Sequence, residues 1–392
     1  MIERLLIFSI PELILLVVLF VLFVCQLLYY LVSYSRPYKK AKTADNQISL
    51  DSYPPVSVIV YAKNESYNLQ KYLPSLLVQD YPWYEVIVIN DGSTDESDDV
   101  LKRLENEYKH LYHTFIPQES KYLSRRKLSL TIGIKAAKHD ILLFTEANCQ
   151  PLSNEWIKSM VCNYTNQTSI VLGYCAYKEN SSFFHKLVGY DNLLSGLQYI
   201  SSALKNNPFS ANGRNLSYKK KLFFEHKGYS HSLSLHAGDD DLFINEASTG
   251  ENTRVKYTPE SMTEMAPFER FAMWKEMKIS RAATQHHYQG KQLLFYRMEK
   301  VSFFLFLLLV IASVILGILG NPLTALVGVL LYAISLIVKY VVLNKAARML
   351  QQKISAASLP LLEITQPLIN LYILIYRVFK GKKDYTFTIT GK

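Results

Sequence analysis

DILLFTEANCQP, Asp140–Pro151, is the stretch on which the fold turns. The apolar run Ile141-Leu142-Leu143-Phe144 reads as a fully buried strand. It stops abruptly at Thr145-Glu146-Ala147-Asn148-Cys149, where the residues become polar. An acid and an amide two apart, just past the C-terminal end of a strand, stand where open α/β sheets bind their ligands. Alone, the stretch would serve equally well as a strand entering an ordinary polar loop. Its neighbours decide between the two.

Working back from it, Lys127–Ala137 has helical periodicity, Tyr112–Ile116 reads as a strand and Ser97–Tyr108 as a helix. Glu85–Ile89 is a strand, Asn68–Val78 a helix and Val56–Tyr61 a strand. Strands alternating with amphipathic helices predict an α/β fold, a doubly wound, mostly parallel sheet with helices on both faces. Two further strands end as the first does. Val56–Val60 is followed by Tyr61-Ala62-Lys63-Asn64-Glu65, and Glu85–Ile89 by Asn90-Asp91-Gly92-Ser93-Thr94-Asp95. Three polar strand ends on one edge of a sheet predict a nucleotide crevice. The chain has neither a Walker-type loop nor GxGxxG, so a metal or basic side chains must meet the phosphates. Arg125, Arg126 and Lys127, at a helix start, are the candidates.

The chain has 392 residues, of which 49% are hydrophobic and only 19% charged, which predicts a globular domain joined to a membrane part. The apolar run Pro11–Leu31 is long enough to span a bilayer. Arg36, Lys39, Lys40 and Lys42 follow it, against Arg4 alone before it. The positive-inside rule then puts the N-terminus outside and the next domain in the cytoplasm, at the inner membrane. Val301–Leu319 and Pro322–Leu343 read as two further spans joined at Gly320-Asn321. Ser358–Val378 is apolar but holds Pro360, Glu363, Gln366 and Pro367, with basic residues on both sides. A re-entrant or interfacial hairpin bent at the prolines is expected there. The resulting division is an anchor at 1–35, a basic linker at 36–55, a cytoplasmic domain at 56–290, a membrane region at 300–380 and a basic tail at 381–392. The net charge of +10 crowds beside apolar runs, which favours membrane lipids and phosphate-bearing partners over nucleic acid. Four cysteines without metal-ligand spacing fit a reduced compartment.

The pieces VSVIVYAKNES, QDYPWYEVIVINDGSTD and RKLSLTIGIKAAKHDILLF, with the acidic turn after them, resemble the membrane-anchored bacterial family-2 glycosyltransferases of GT-A fold. GRNLSY (Gly213–Tyr218), GDDDLF (Gly238–Phe243) and a Trp-containing segment at Phe271–Tyr288 continue the resemblance. It implies that Asp91 reads the base of a nucleotide diphosphate sugar. It further implies that Ala62, Asn64 and Glu65 line the nucleoside and that Lys127 touches the pyrophosphate. The family's DxD turn, which holds a divalent cation (Mn²⁺ or Mg²⁺), stands here as Glu146-Ala147-Asn148. One formal negative charge is lost, so a weaker metal site is expected. The QxxRW motif falls on Met277–Arg281, where Met277 replaces the Gln, Ser280 the Arg and Arg281 the Trp, leaving Lys278 and Arg281 as contacts for the diphosphate.

Asp239, Asp240 and Asp241 precede an apolar helical run beginning at Leu242. Capping that helix needs one or two carboxylates, and crowding raises a pKa, so a general base is expected among them. In the family an Asp of this motif deprotonates the acceptor hydroxyl, which points to Asp239 first and Asp240 second. The expected activity is inverting transfer of a sugar from a nucleotide diphosphate sugar to a hydroxyl acceptor, lipid-linked, in envelope polysaccharide or glycolipid synthesis. The alternative is an inactive nucleotide-binding scaffold, motivated by Asn148.

Overall fold

A computed structural model describes residues 8–41, 53–117, 124–178 and 181–380. Most of the basic linker (42–52) and the basic tail (381–392) lie outside the described residues. Helix α1 (Ile10–Leu28) runs through a π-helical turn (Tyr29–Tyr34) into the short α2 (Arg36–Ala41). The predicted alternation follows: β1 (Val56–Ala62), α3 (Ser66–Leu77), β2 (Tyr84–Asn90), α4 (Ser97–Glu107), β3 (Leu111–Phe115), α5 (Arg125–Ala136) and β4 (Ile141–Glu146). Then come β5 (Cys149–Pro151), α6 (Trp156–Val161), β6 (Ile170–Leu172), β7 (Cys175–Tyr177) and the long α7 (Phe183–Ala203). They are followed by β8 (Leu216–Lys219), α8 (Lys220–Glu225), α9 (Asp241–Ala247), β9 (Thr253–Val255) and β10 (Thr263–Met265). The chain closes with α10 (Phe271–Thr284), α11 (Gln292–Leu319), α12 (Pro322–Met349) and α13 (Leu359–Lys380).

The described residues form a seven-stranded sheet in the order β3-β2-β1-β4-β8-β6-β9, mostly parallel, with β8 running against its neighbours. Register places Tyr61 beside Glu146 and Ala62 beside Asn90, so the C-terminal ends of β1, β2 and β4 are level. Both faces are apolar, as a buried parallel sheet requires. Val56, Val58 and Val60 with Ile141 and Leu143 fill one side; Ile59, Leu142 and Phe144 fill the other. A second, small sheet, β5-β10-β7, takes the chain as it leaves Asn148.

The second of these cores does not stop at the domain. Tyr30 and Tyr34 of the π-turn, Tyr296 of α11, and Leu343 and Ala346 of α12 belong to the same packed cluster as Ile59 and Phe144. The anchor is also tied to the last carbonyls of α7: Arg36 Nη1 donates to Ser201 O at 2.8 Å and Lys40 Nζ to Leu204 O at 2.7 Å. Cations suit that end of a helix dipole.

Among the described residues, four helices are long and apolar enough to cross a membrane, one N-terminal and three C-terminal. Helices α1, α11 and α12 pack together through Leu19, Phe23, Phe303 and Phe306, with Leu331 and Tyr332 of α12 against them. Gly328 lies against Ser313 where a Cβ would not fit, the close approach that small residues allow between membrane helices. The hairpin expected over Ser358–Val378 is replaced by one continuous helix, α13, with Pro367 inside it. Its polar residues find partners instead of breaking it: Glu363 pairs with Lys339 of α12 at 3.2 Å, and Gln366 donates to Asp191 of α7 at 3.1 Å. The opposite face, Leu361, Ile364, Leu368, Leu371 and Ile375, is exposed. With its polar residues paired inside the protein, α13 suits an apolar surrounding, and the basic residues near its two ends, Lys353 and Arg377, favour one membrane face for both. Cysteines introduced at Lys353 and Phe379, on either side of α13, are therefore expected to react with an impermeant maleimide from the same membrane face. Reaction from opposite faces would show that α13 crosses.

Candidate functional site

Side chains converge where β1, β2 and β4 end. The loop after β1 is stitched to the loop after β2: Thr94 N donates to Asn64 Oδ1 at 2.8 Å, and Glu65 N to Ser97 Oγ at 3.1 Å. Asn64 takes a left-handed backbone, φ 53°, a conformation Asn tolerates better than most residues. Ala62 is buried and accepts from Asp91 N through its carbonyl, so it shapes the floor by its backbone. Burial pushes the Glu65 carboxyl up, against the hydrogen bond it accepts from Asn68. Asp91 is almost wholly buried; it accepts from Tyr61 Oη at 2.8 Å and pairs with Arg125 at 2.7 Å.

Arg125 and Arg126 open α5, behind the N-cap Ser124, whose hydroxyl donates to His236 O at 2.8 Å. Cations at a helix N-terminus oppose the dipole, so their charge must be answered from outside the helix. Three carboxylates from separate elements answer it. Asp91 holds Arg125, while Arg126 bridges Glu146 at 2.7 Å through Nη2 and Asp239 at 2.9 Å through Nε. The Arg126 guanidinium also covers the Tyr61 ring, 4.7 Å from its centroid.

Glu146, the last residue of β4, is held a second time by Arg214 Nε at 2.8 Å. Burial alone would raise its carboxyl, but Arg214 and Arg126 outweigh it and hold the group down at about 2. GRNLSY now has a physical reading. Gly213 lets Asp240 approach and donates to it at 2.7 Å. Arg214 is positioned by Thr145 and Thr263, whose hydroxyls donate to its carbonyl. Asn215 bonds Trp156, Tyr174 and Ser261.

The three aspartates divide their work. Asp239 faces Arg126 and lines a narrow crevice with Thr145, Gly213 and Asp240. Its pKa lies above the usual carboxylate range because burial and Asp240 outweigh Arg126. Asp240 caps α9, accepting from Asp241 N at 2.7 Å. Asp241 points elsewhere, accepting from Thr284 at 2.5 Å and Tyr288 at 2.8 Å, and burial pushes it up.

Some expected residues stand apart. Lys127 is fully buried one step round the helix from Arg126, and its ammonium donates to Ser232 O and Leu235 O. Burial lowers its pKa to about 8. It holds the loop before the aspartates instead of reaching the crevice. Lys278 pairs with Asp191 of α7 at 2.6 Å, against the Trp274 ring. Arg281 reaches Ser195 Oγ at 3.5 Å, and its charge acts on Asp240 and Asp241. Asn148 Oδ1 accepts from the Cys149 thiol at 3.3 Å. The turn does not fit the expected cation as it is arranged. Both Glu146 oxygens are taken by guanidiniums, Asn148 is neutral, and among the described residues no three His, Cys, Asp or Glu converge on a metal position. Hard cations need more anionic oxygen than this. Arg214 was not singled out as a site residue from the sequence; the GRNLSY match was the available signal.

Residues 57–227 match the model of Glycosyl transferase family 2. Over 108 residues the chain is 32% identical to the glycosyltransferase AglE of Haloferax volcanii, a match covering 27% of this chain and 34% of that protein. The chain thus spans about a third of the length of that curated relative. Among solved structures it is similar to the mannosyltransferase PcManGT from Pyrobaculum calidifontis in complex with GDP-Man and Mn²⁺. There the TM-score is 0.56 at 15% identity, covering 93% of this chain and 100% of that one. The structure of S. aureus TarS 1–349 matches at a TM-score of 0.41 and 13% identity, over 82% of this chain and 92% of that one. The domain built on β1, β2 and β4 thus matches the family-2 glycosyltransferases over residues 57–227, on a sheet that shares the fold of a solved glycosyltransferase.

Proposed function

We propose that the protein moves one sugar from a nucleotide diphosphate sugar to a hydroxyl of a lipid-linked acceptor, with inversion. Such a step would serve envelope polysaccharide or glycolipid assembly. The observation that carries this reading is the pair of arginines in the first turn of α5, held against the helix dipole by Asp91, Glu146 and Asp239. A cationic cluster with anionic anchors at a helix N-terminus suits a diphosphate. In the reaction the acceptor oxygen attacks the anomeric carbon as the bond to the diphosphate breaks. Asp239 takes the hydroxyl proton. Arg126 and Arg214 meet the charge that develops on the leaving diphosphate, bidentate donors being suited to phosphate. Asp91, backed by Arg125, receives the base. The domain faces the cytoplasm, the side on which Arg36, Lys39 and Lys40 leave α1.

The Mn²⁺ held with GDP-Man in the PcManGT complex favours a second reading of the same site. In it Glu146 and Asn148 would be the residues to hold a divalent cation, which would supply positive charge against the leaving diphosphate. Purified full-length protein incubated with a panel of nucleotide sugars, with and without EDTA, separates the readings by release of nucleoside diphosphate. Release that survives EDTA supports the arginine-based site; release restored only by Mn²⁺ or Mg²⁺ supports the second. Asp91→Ala should weaken nucleoside diphosphate binding by about 1–3 kcal/mol in calorimetry, through a lost charged hydrogen bond. Unchanged affinity in a folded variant would move the crevice elsewhere.

A further inference from the structure

A cavity of about 580 Å³ lies well away from the sheet edge, between the end of α1, the end of α7 and the start of α11. Its wall divides by chemistry along the chain from Leu28 to Arg36. Leu28 of α1, Val32 of the π-helical turn and Phe295 of α11 give an apolar half, all three exposed to the surrounding medium. Arg36, Lys205 and Lys291 give a basic half on the side where α1 leaves its apolar span. No acidic residue stands among the described residues that line it. Volumes of this size are typical of small-molecule sites.

The backbone is unusual at the same place. Tyr29, Val32 and Ser33 reach the cavity from the π-helical turn, and such turns recur at functional sites in otherwise regular helices. Tyr296, on the opposite wall, is held through its hydroxyl by Gln198 O at 3.1 Å and Ser33 Oγ at 3.2 Å. Its ring stacks on Phe209 at 5.9 Å, and Phe209 meets the ring of Tyr288, the residue bonded to Asp241. The cavity is thus a built part of the joint between membrane helices and domain.

We propose that this cavity binds an anionic phospholipid of the bilayer. The phosphate lies among Arg36, Lys205 and Lys291, and the start of an acyl chain runs along Leu28, Val32 and Phe295. A soluble anion would leave the apolar half uncovered, whereas a zwitterionic lipid would bring its own ammonium toward three positive charges. Each basic residue near an anionic membrane surface adds to attraction, and apolar contact adds per buried methylene. The inference goes beyond the transfer reaction and does not rest on it.

Native mass spectrometry of the detergent-extracted full chain, with phosphatidylglycerol or phosphatidylcholine added, tests it without any turnover. Retention of phosphatidylglycerol is expected to exceed that of phosphatidylcholine by about 30–150-fold, the scale set by two or three surface charges. Lys205→Ala with Lys291→Ala, both exposed positions, should bring phosphatidylglycerol down to the phosphatidylcholine level. Val32→Trp, which fills the apolar half, should lower retention of both. Equal retention of the two lipids by the wild type would overturn the proposal. So would a double variant, folded by gel filtration, that still prefers phosphatidylglycerol. Displacement of phosphatidylglycerol by millimolar inorganic phosphate would overturn it too, by showing a site that reads the phosphate alone.

Discussion

Asp239→Asn should keep nucleotide sugar binding and lower sugar transfer about 10²–10⁴-fold, the usual cost of losing a general base. The amide can still accept from Arg126 Nε, so the bridge that orders the crevice survives, while the proton acceptor is gone. Asp239 sits above the ordinary carboxylate range, since burial and Asp240 favour its neutral form more than Arg126 favours the anion. A base works only when deprotonated. The wild-type rate should therefore rise with pH through that elevated pKa, and this limb should be missing from the variant's residual activity. Asp240→Asn is expected to behave differently. It weakens the cap on α9 and the contact with Gly213, so the loss should appear in thermal stability while the acid limb stays. Wild-type turnover by Asp239→Asn beside a dead Asp240→Asn would transfer the role by one residue. A folded wild type that releases no nucleoside diphosphate would leave the nucleotide-binding scaffold.

Arg126→Ala should be the most damaging substitution for both stability and donor binding. It leaves two buried carboxylates, Glu146 and Asp239, facing the space one guanidinium filled. Breaking a buried pair by removing one partner typically costs about 3–5 kcal/mol. Arg126→Lys should rescue only in part, because one ammonium cannot bridge both acids with fork geometry. The pH dependence has a definite sign. Glu146 titrates near 2 in the folded protein, below an ordinary glutamate, so its pairing stabilises fully above the unfolded value, near 4.5. That stability is lost as pH falls from there toward 2. Thermal melts of wild type and Arg126→Ala in detergent should therefore differ most at neutral pH and converge toward pH 2–3. A constant gap across that range would mean that Arg126 acts by packing alone. Adding Asp239→Asn to Arg126→Ala should recover part of the loss at neutral pH, because Asp239 loses its ion pair in the single variant whereas Glu146 keeps Arg214.

Much of this crevice was legible along the chain, because strand ends carry their chemistry locally. Asp91 and Glu146 could be placed from the apolar runs before them, since a parallel register makes those ends level. Rotation was harder to read. Arg125, Arg126 and Lys127 are adjacent, yet each helical residue turns by about 100°. Lys127 shares the inward stripe with Leu130 and Ile134, three and seven residues on, and so is buried with them. That spacing was visible, but an inward lysine is credible only once Ser232 and Leu235 are known to offer carbonyls. Arg214 depends on a contact across the sheet to Glu146, which no local pattern encodes. The expected hairpin at Ser358–Val378 failed for a related reason. Glu363, Gln366 and the prolines look unfit for lipid until Lys339 and Asp191 are seen to receive the polar pair.

The shared core of sheet and membrane helices has one more consequence, and it concerns height. Tyr30, Tyr34, Tyr296 and Leu343 pack in the cluster that holds Ile59 and Phe144, so the sheet cannot swing on a tether. The crevice is carried at a fixed distance and tilt from the apolar helices. On the proposed reading, the hydroxyl of a lipid-linked acceptor must rise to that height, and each sugar added to its carrier lifts its end by a set step. The protein would then measure its acceptors as a gauge does, admitting the glycan whose length matches the gap and passing over those one unit shorter or longer.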